Sequence, residues 1–79
     1  MLSENEGDVA LSPLQLHYLR RLNRLLRLRV EQRGLLNEDG TRLIDRAIYS
    51  TYCDAADLGV MAEAQRLLHR HAVADAIKR

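Results

Sequence analysis

From Ser12 onward, apolar residues recur at intervals of three and four along almost the whole chain. That is the period of α-helices with a buried stripe. The first eleven residues have no such period and carry Glu4, Glu6 and Asp8 around Gly7, so residues 1–11 read as a disordered acidic tail. Ser12-Pro13-Leu14-Gln15 is a helix start: Ser12 caps, Pro13 suits the first turn, and Gln15 returns the bond as in a capping box. Leu11 and Leu16 could add a hydrophobic staple around that cap. The pattern predicts a first helix over about 13–33, with Gly34 as its left-handed stop.

Leu35 to Gly40 then reads as a turn with an apolar plug, and Thr41 or Asp39 as the cap of a second helix over 41–57. Ile44, Ala47, Ile48, Thr51 and Ala55 form its stripe, with Tyr52 alongside. Gly59 breaks the pattern. A third helix over 60–76 carries Met61, Ala64, Leu68 and Ala72 on one line, with Val60, Leu67 and Ala74 beside them. Short connections make the expected architecture all-α, a small antiparallel three-helix bundle in which a long first helix meets a helical hairpin, all within one domain over 12–79.

Composition agrees with that fold. Leu, Ala and Arg dominate, Phe and Trp are absent, and the single Pro is Pro13. With 79 residues, 47% hydrophobic and 29% charged, the chain reads as globular but has a small core. No apolar run is long enough to span a bilayer, and no cleavable leader is visible. One cysteine gives no internal disulfide, and the expected location is cytoplasmic.

The first helix carries most of the functional information. Its apolar residues cover well over half the circumference, more than a surface helix needs. Leu14, Tyr18, Leu22, Leu25 and Leu28 form one face. Leu16, Leu19, Leu26 and Val30 form a second, with Asn23 in the gap of that seam. A polar Asn on an apolar seam can fix register and oligomeric state. The second face therefore reads as the partner-binding surface, for another protein or a second copy of this chain. The alternative is that both faces are covered within the chain.

The remaining arc holds His17, Arg20, Arg24, Arg27 and Glu31, and residues 13–36 carry six Arg against one Glu. Arg20, Arg24 and Arg27 form a basic rim that could set the orientation of a protein partner. The same stripe could contact phosphates, which makes a nucleic-acid-binding regulator the alternative function. Against that stand the net charge of +1 and the lack of stacking aromatics. Solvation and pairing with the acids of the second segment would also account for the stripe.

Catalytic chemistry finds little support, and the chain is expected to be no enzyme. His69 and His71 project about 200° apart on a helix, so they do not share a face. Cys53 with one of them falls short of the four ligands of a structural zinc site. Asn37 to Gly40 is too short for a calcium loop. The four glycines are isolated, so no phosphate loop is present. No cofactor, metal or small-molecule substrate is implied. The stretch Tyr52–Leu68 resembles the turn and second helix of a tetratricopeptide unit, with Gly59, Ala64 and Leu68 at the matching spacing. The first helix lacks that family's Trp-x-x-Leu-Gly pattern, so the likeness implies a helical hairpin and no membership. Thr41-Arg42-Leu43-Ile44-Asp45 is faintly similar to the helix of hairpin phosphatases acting on aspartyl phosphates, but Arg42 stands where the family's amide belongs.

Overall fold

The structure, a computed structural model, describes residues 11–78. These form three helices, α1 (Pro13–Glu31), α2 (Glu38–Asp57) and α3 (Met61–Lys78), and each contacts the other two. The expected disordered tail lies at residues outside that range, except for Leu11, which packs against the core.

The start of α1 is the capping box foreseen from sequence. Ser12 Oγ accepts from the Gln15 amide at 3.1 Å, and Gln15 Oε1 accepts from the Ser12 amide at 2.8 Å. The Gln15 side chain also donates to the Leu58 carbonyl at 2.8 Å, tying the start of α1 to the turn between α2 and α3. The helix ends at Glu31, two residues earlier than its apolar pattern suggests. Residues 32–35 make the turn, with Gly34 at φ +83°.

The start of α2 corrects the sequence reading. The cap is Asn37, not Asp39 or Thr41, and its Oδ1 accepts from the Gly40 amide at 2.7 Å. Glu38, Asp39 and Gly40 thus form the first helical turn rather than a loop. The two carboxylates there complement the positive end of the helix dipole, which outweighs the low helix propensity of Gly40. At the other end, the Gly59 amide donates to Ala56 and the Val60 amide to Ala55, each at 3.0 Å. These are the paired bonds of a Schellman motif, and they require the positive φ that Gly59 supplies at +85°. The break foreseen at Gly59 is therefore built in, and it delivers Val60 into the core just ahead of α3.

Leu22, Leu26, Ala55, Val60 and Ala64 are buried, and Thr51 joins them as a buried polar residue. Tyr18, Leu19, Ile48, Tyr52, Leu67 and Leu68 pack around this cluster. Met61, expected on the buried line of α3, is 48% exposed. Ala72 and Ala74 are exposed as well. The buried line of α3 runs instead through Ala64, Leu67, Leu68 and His71, because Val60 already fills the space at the helix start. No helix among the described residues is long and apolar enough to cross a membrane.

Candidate functional site

Because α2 reverses direction and α3 reverses it again, α3 runs parallel to α1 and α2 antiparallel to both. Tyr18 lies on the α2 side of α1, whereas Leu19, Asn23 and Val30 lie on the α3 side. Parts of the two apolar faces read from sequence thus meet two different helices of the same chain, with the buried Leu22 and Leu26 between them, while Leu14 and Leu28 stay exposed.

The contact between α1 and α3 leaves a groove. Leu19, Arg20 and Asn23 line it from α1, and Glu63, Arg66, Leu67 and Arg70 from α3, around a volume of about 320 Å³. Leu19 and Leu67 are half-buried and form an apolar floor. Arg20, Arg66 and Arg70 are exposed and rise from both sides. Among the described residues, Glu63 is the one carboxylate lining the groove, 3.8 Å from Arg66. Farther along the seam, a smaller hollow of about 160 Å³ lies among Leu26, Arg29, Val30, Leu68, His71 and Ala72.

A hydrogen bond divides the two hollows. Asn23 Oδ1 lies 2.8 Å from His71 Nε2, and the ring N–H donates to the amide oxygen. His71 is half-buried, and its pKa is lowered first by the burial and then by the positive charges of Arg27 and Arg70. The neutral ring is therefore favoured, and Asn23 supplies a neutral acceptor for it.

The basic side of the molecule has little compensation. Among the described residues, no carboxylate comes within 4 Å of Arg20, Arg24, Arg27 or Arg70. The acids of α2 are engaged or placed elsewhere. Asp45 forms a two-pronged pair with Arg29, whose Nη2 lies 3.3 Å from Asp45 Oδ2, and that guanidinium lowers the carboxyl pKa. Glu38 and Asp39 lie 3.9 and 3.7 Å from Arg42. Asp54 and Asp57 flank a different hollow, beside Leu14, Tyr18 and Leu58.

The residues expected to bind a partner are distributed unevenly over this arrangement. Leu19 and Asn23 line the groove and Arg20 its rim. Leu26 is only 8% exposed and belongs to the core. Val30 lines the smaller hollow, and Leu16 is half-buried without lining either hollow. Arg24 and Arg27 stay exposed, with Arg27 near enough to His71 to influence it. Sequence reasoning missed Arg66, Leu67 and Arg70. The four-residue spacing of the two arginines was visible, but the parallel register that brings them beside Arg20 was not.

Other reactive side chains are scattered. Cys53 is half-buried one turn from Tyr49, and its hydrogen bond raises the pKa of that exposed phenol. Among the described residues, no cluster of three or more His, Cys, Asp or Glu side chains could hold a metal ion. No protein-family model matches the chain, and neither a curated protein nor a solved structure is significantly similar to it.

Proposed function

We propose that this chain is a small non-enzymatic interaction module of the cytoplasm that binds an acidic amphipathic helix of another protein in the groove between α1 and α3. The observation that carries this reading is the convergence of Arg20, Arg66 and Arg70, from two helices, around the apolar floor of Leu19 and Leu67. A partner helix would lay its leucines on the floor and its carboxylates among the guanidiniums. Arginine suits that rim because its planar fork pairs with a carboxylate through two hydrogen bonds. Apolar contact would supply affinity, and the rim would set orientation and association rate.

A second copy of the chain is the other occupant suggested by the first helix. Engagement of Asn23 with His71 and burial of Leu26 leave less of the original seam for self-association. Nucleic acid remains the second reading. It is favoured by Arg20, Arg24, Arg27 and Arg70, which have no carboxylate within 4 Å among the described residues.

One experiment separates the three. A fluorescent synthetic helix with leucines at i, i+3 and i+7 and glutamates between them is titrated with the full chain and with the Arg20→Glu, Arg66→Glu, Arg70→Glu variant. A labelled DNA duplex is titrated alongside. The proposal expects the peptide to bind the native chain at micromolar concentration and the variant at least ten-fold more weakly. Duplex binding without peptide binding would move the function to nucleic acid. A dimer at low micromolar concentration by light scattering, with neither probe bound, would restore self-association.

A further inference from the structure

The hydrogen bond between Asn23 and His71 joins the two walls of the groove and also lies at its boundary. Asn23 lines the groove from α1, and its Oδ1 accepts from His71 Nε2 at 2.8 Å. Arg70, the residue before His71 on α3, lines the groove as well. His71 itself lines the smaller hollow beyond, with Leu26, Arg29 and Val30 of α1. A titratable ring thus stands behind the groove wall, bonded to one groove residue and adjacent in the chain to another.

The charges around that ring are mostly positive. Arg27 and Arg29 come from α1 and Arg70 from α3, and the α2 acid tied to this cluster, Asp45, is engaged with Arg29. Among the described residues, no carboxylate comes within 4 Å of the His71 ring, of Arg27 or of Arg70. Burial first, and then the charges of Arg27 and Arg70, oppose a further proton on the ring.

An acidic helix in the groove would change that balance. A carboxylate paired with Arg70 offsets the charge that repels a protonated His71, and it attracts the imidazolium as well. Protonation breaks no bond, because Nε2 carries its hydrogen both in the neutral tautomer that donates to Asn23 and in the cation.

We infer that binding of the acidic partner in the groove draws a proton onto His71, so that the partner is held more tightly in a mildly acidic medium. The inference rests on the groove being a binding site, as proposed above. The coupling is reciprocal: the partner favours the proton by the same factor as the proton favours the partner. Tightening occurs as the pH falls from the midpoint of the bound chain to the lower midpoint of the free one. His69 lines a separate hollow with the same Arg66 and Arg70, which makes it the control.

The test follows the ring protons of His17, His69 and His71 by NMR in the full chain, free and saturated with the synthetic acidic helix, from pH 8 to 5.5. Peptide affinity is measured alongside at pH 7.5 and 6.0, where glutamates stay ionised. The His71 midpoint should rise by about half a pH unit to one on saturation, and the peptide should bind about two- to four-fold more tightly at the lower pH. His71→Gln, which keeps a donor for Asn23, should bind equally at both pH values, and His69→Gln should retain the difference. The midpoint is read on the native chain, so it decides even if a variant is unstable. Peptide binding with an unmoved or lowered His71 midpoint would overturn the inference while leaving the groove reading intact. A pH dependence that survives His71→Gln and disappears in His69→Gln would overturn it too, because the proton would then belong to the other hollow. Absence of peptide binding at both pH values would remove the groove reading and this inference with it.

Discussion

Helix α1 meets its two neighbours in opposite ways. On the α2 side, polar side chains close the contact: Arg21 Nε donates to Thr51 Oγ1 at 3.2 Å, and Arg29 grips Asp45. On the α3 side, Asn23 and His71 form a direct polar link, and the arginines beside it line a groove. One interface carries an opposite-charge pair across it, and the other leaves like charges facing each other. In a chain this small, leaving a helix contact partly open sacrifices core area that would otherwise be buried. Three guanidiniums drawn together at that opening also repel one another. An arrangement that costs stability around a concave surface is what a binding groove looks like from the standpoint of folding.

The sharpest break in this comparison is at the core that both interfaces share. Leu22 is fully buried between α2 and α3. Leu22→Ala should cost about 3 kcal/mol in urea unfolding, and the mutant should unfold as one unit rather than release α3 alone. Next comes the turn that fixes α3 against α1. A Cβ at Gly59 meets nothing within 4 Å, so Gly59→Ala tests the positive φ alone. The expected loss is about 1–2 kcal/mol. At Gly40, where a Cβ would come 3.2 Å from Asn37 Oδ1, the gain in helix propensity and the crowding of the cap oppose each other. Gly40→Ala should therefore change stability less than Gly59→Ala.

The α3 interface should respond to pH more than the α2 interface does between pH 7.5 and 5. The folded state disfavours protonated His71, so its pKa lies below the ordinary value of 6.5. The stabilisation is present above pH 6.5 and is lost as the pH falls through that value toward the folded one, because the unfolded chain takes up the proton first. The melting temperature should drop over that interval, and His71→Gln, which can still donate to Asn23, should flatten the drop. The Asp45 carboxyl also has a lowered pKa, but its loss of stability falls below pH 3.8, outside the same window. The smallest effect belongs to the exposed pair itself. Asp45→Asn should cost under about 1 kcal/mol at neutral pH, since both side chains are close to half exposed.

The contrast between the two interfaces also marks what could be read from sequence. The helices, the Ser12 capping box and the break at Gly59 were all legible because short-range rules govern them. Asn37 was misread as loop because glutamate, aspartate and glycine after it look like a turn until the cap is recognised. The two apolar faces of α1 were legible as faces, but their owners were not. Whether a face meets α2, α3 or another chain depends on packing between residues dozens of positions apart, as with Asn23 and His71. For the same reason the α1 half of the groove was visible in Leu19, Arg20 and Asn23, and the half contributed by Arg66, Leu67 and Arg70 was not.

The central claim is that the groove between α1 and α3, and not the contact between α1 and α2, receives a partner. The most direct measurement is amide and arginine side-chain shift mapping while the synthetic acidic helix is added to the full chain. The account predicts saturable shifts at Leu19, Arg20, Asn23, Arg66, Leu67 and Arg70, with Thr51 and Asp45 unmoved. Shifts concentrated on α2, or spread over all exposed arginines without saturation, would contradict it.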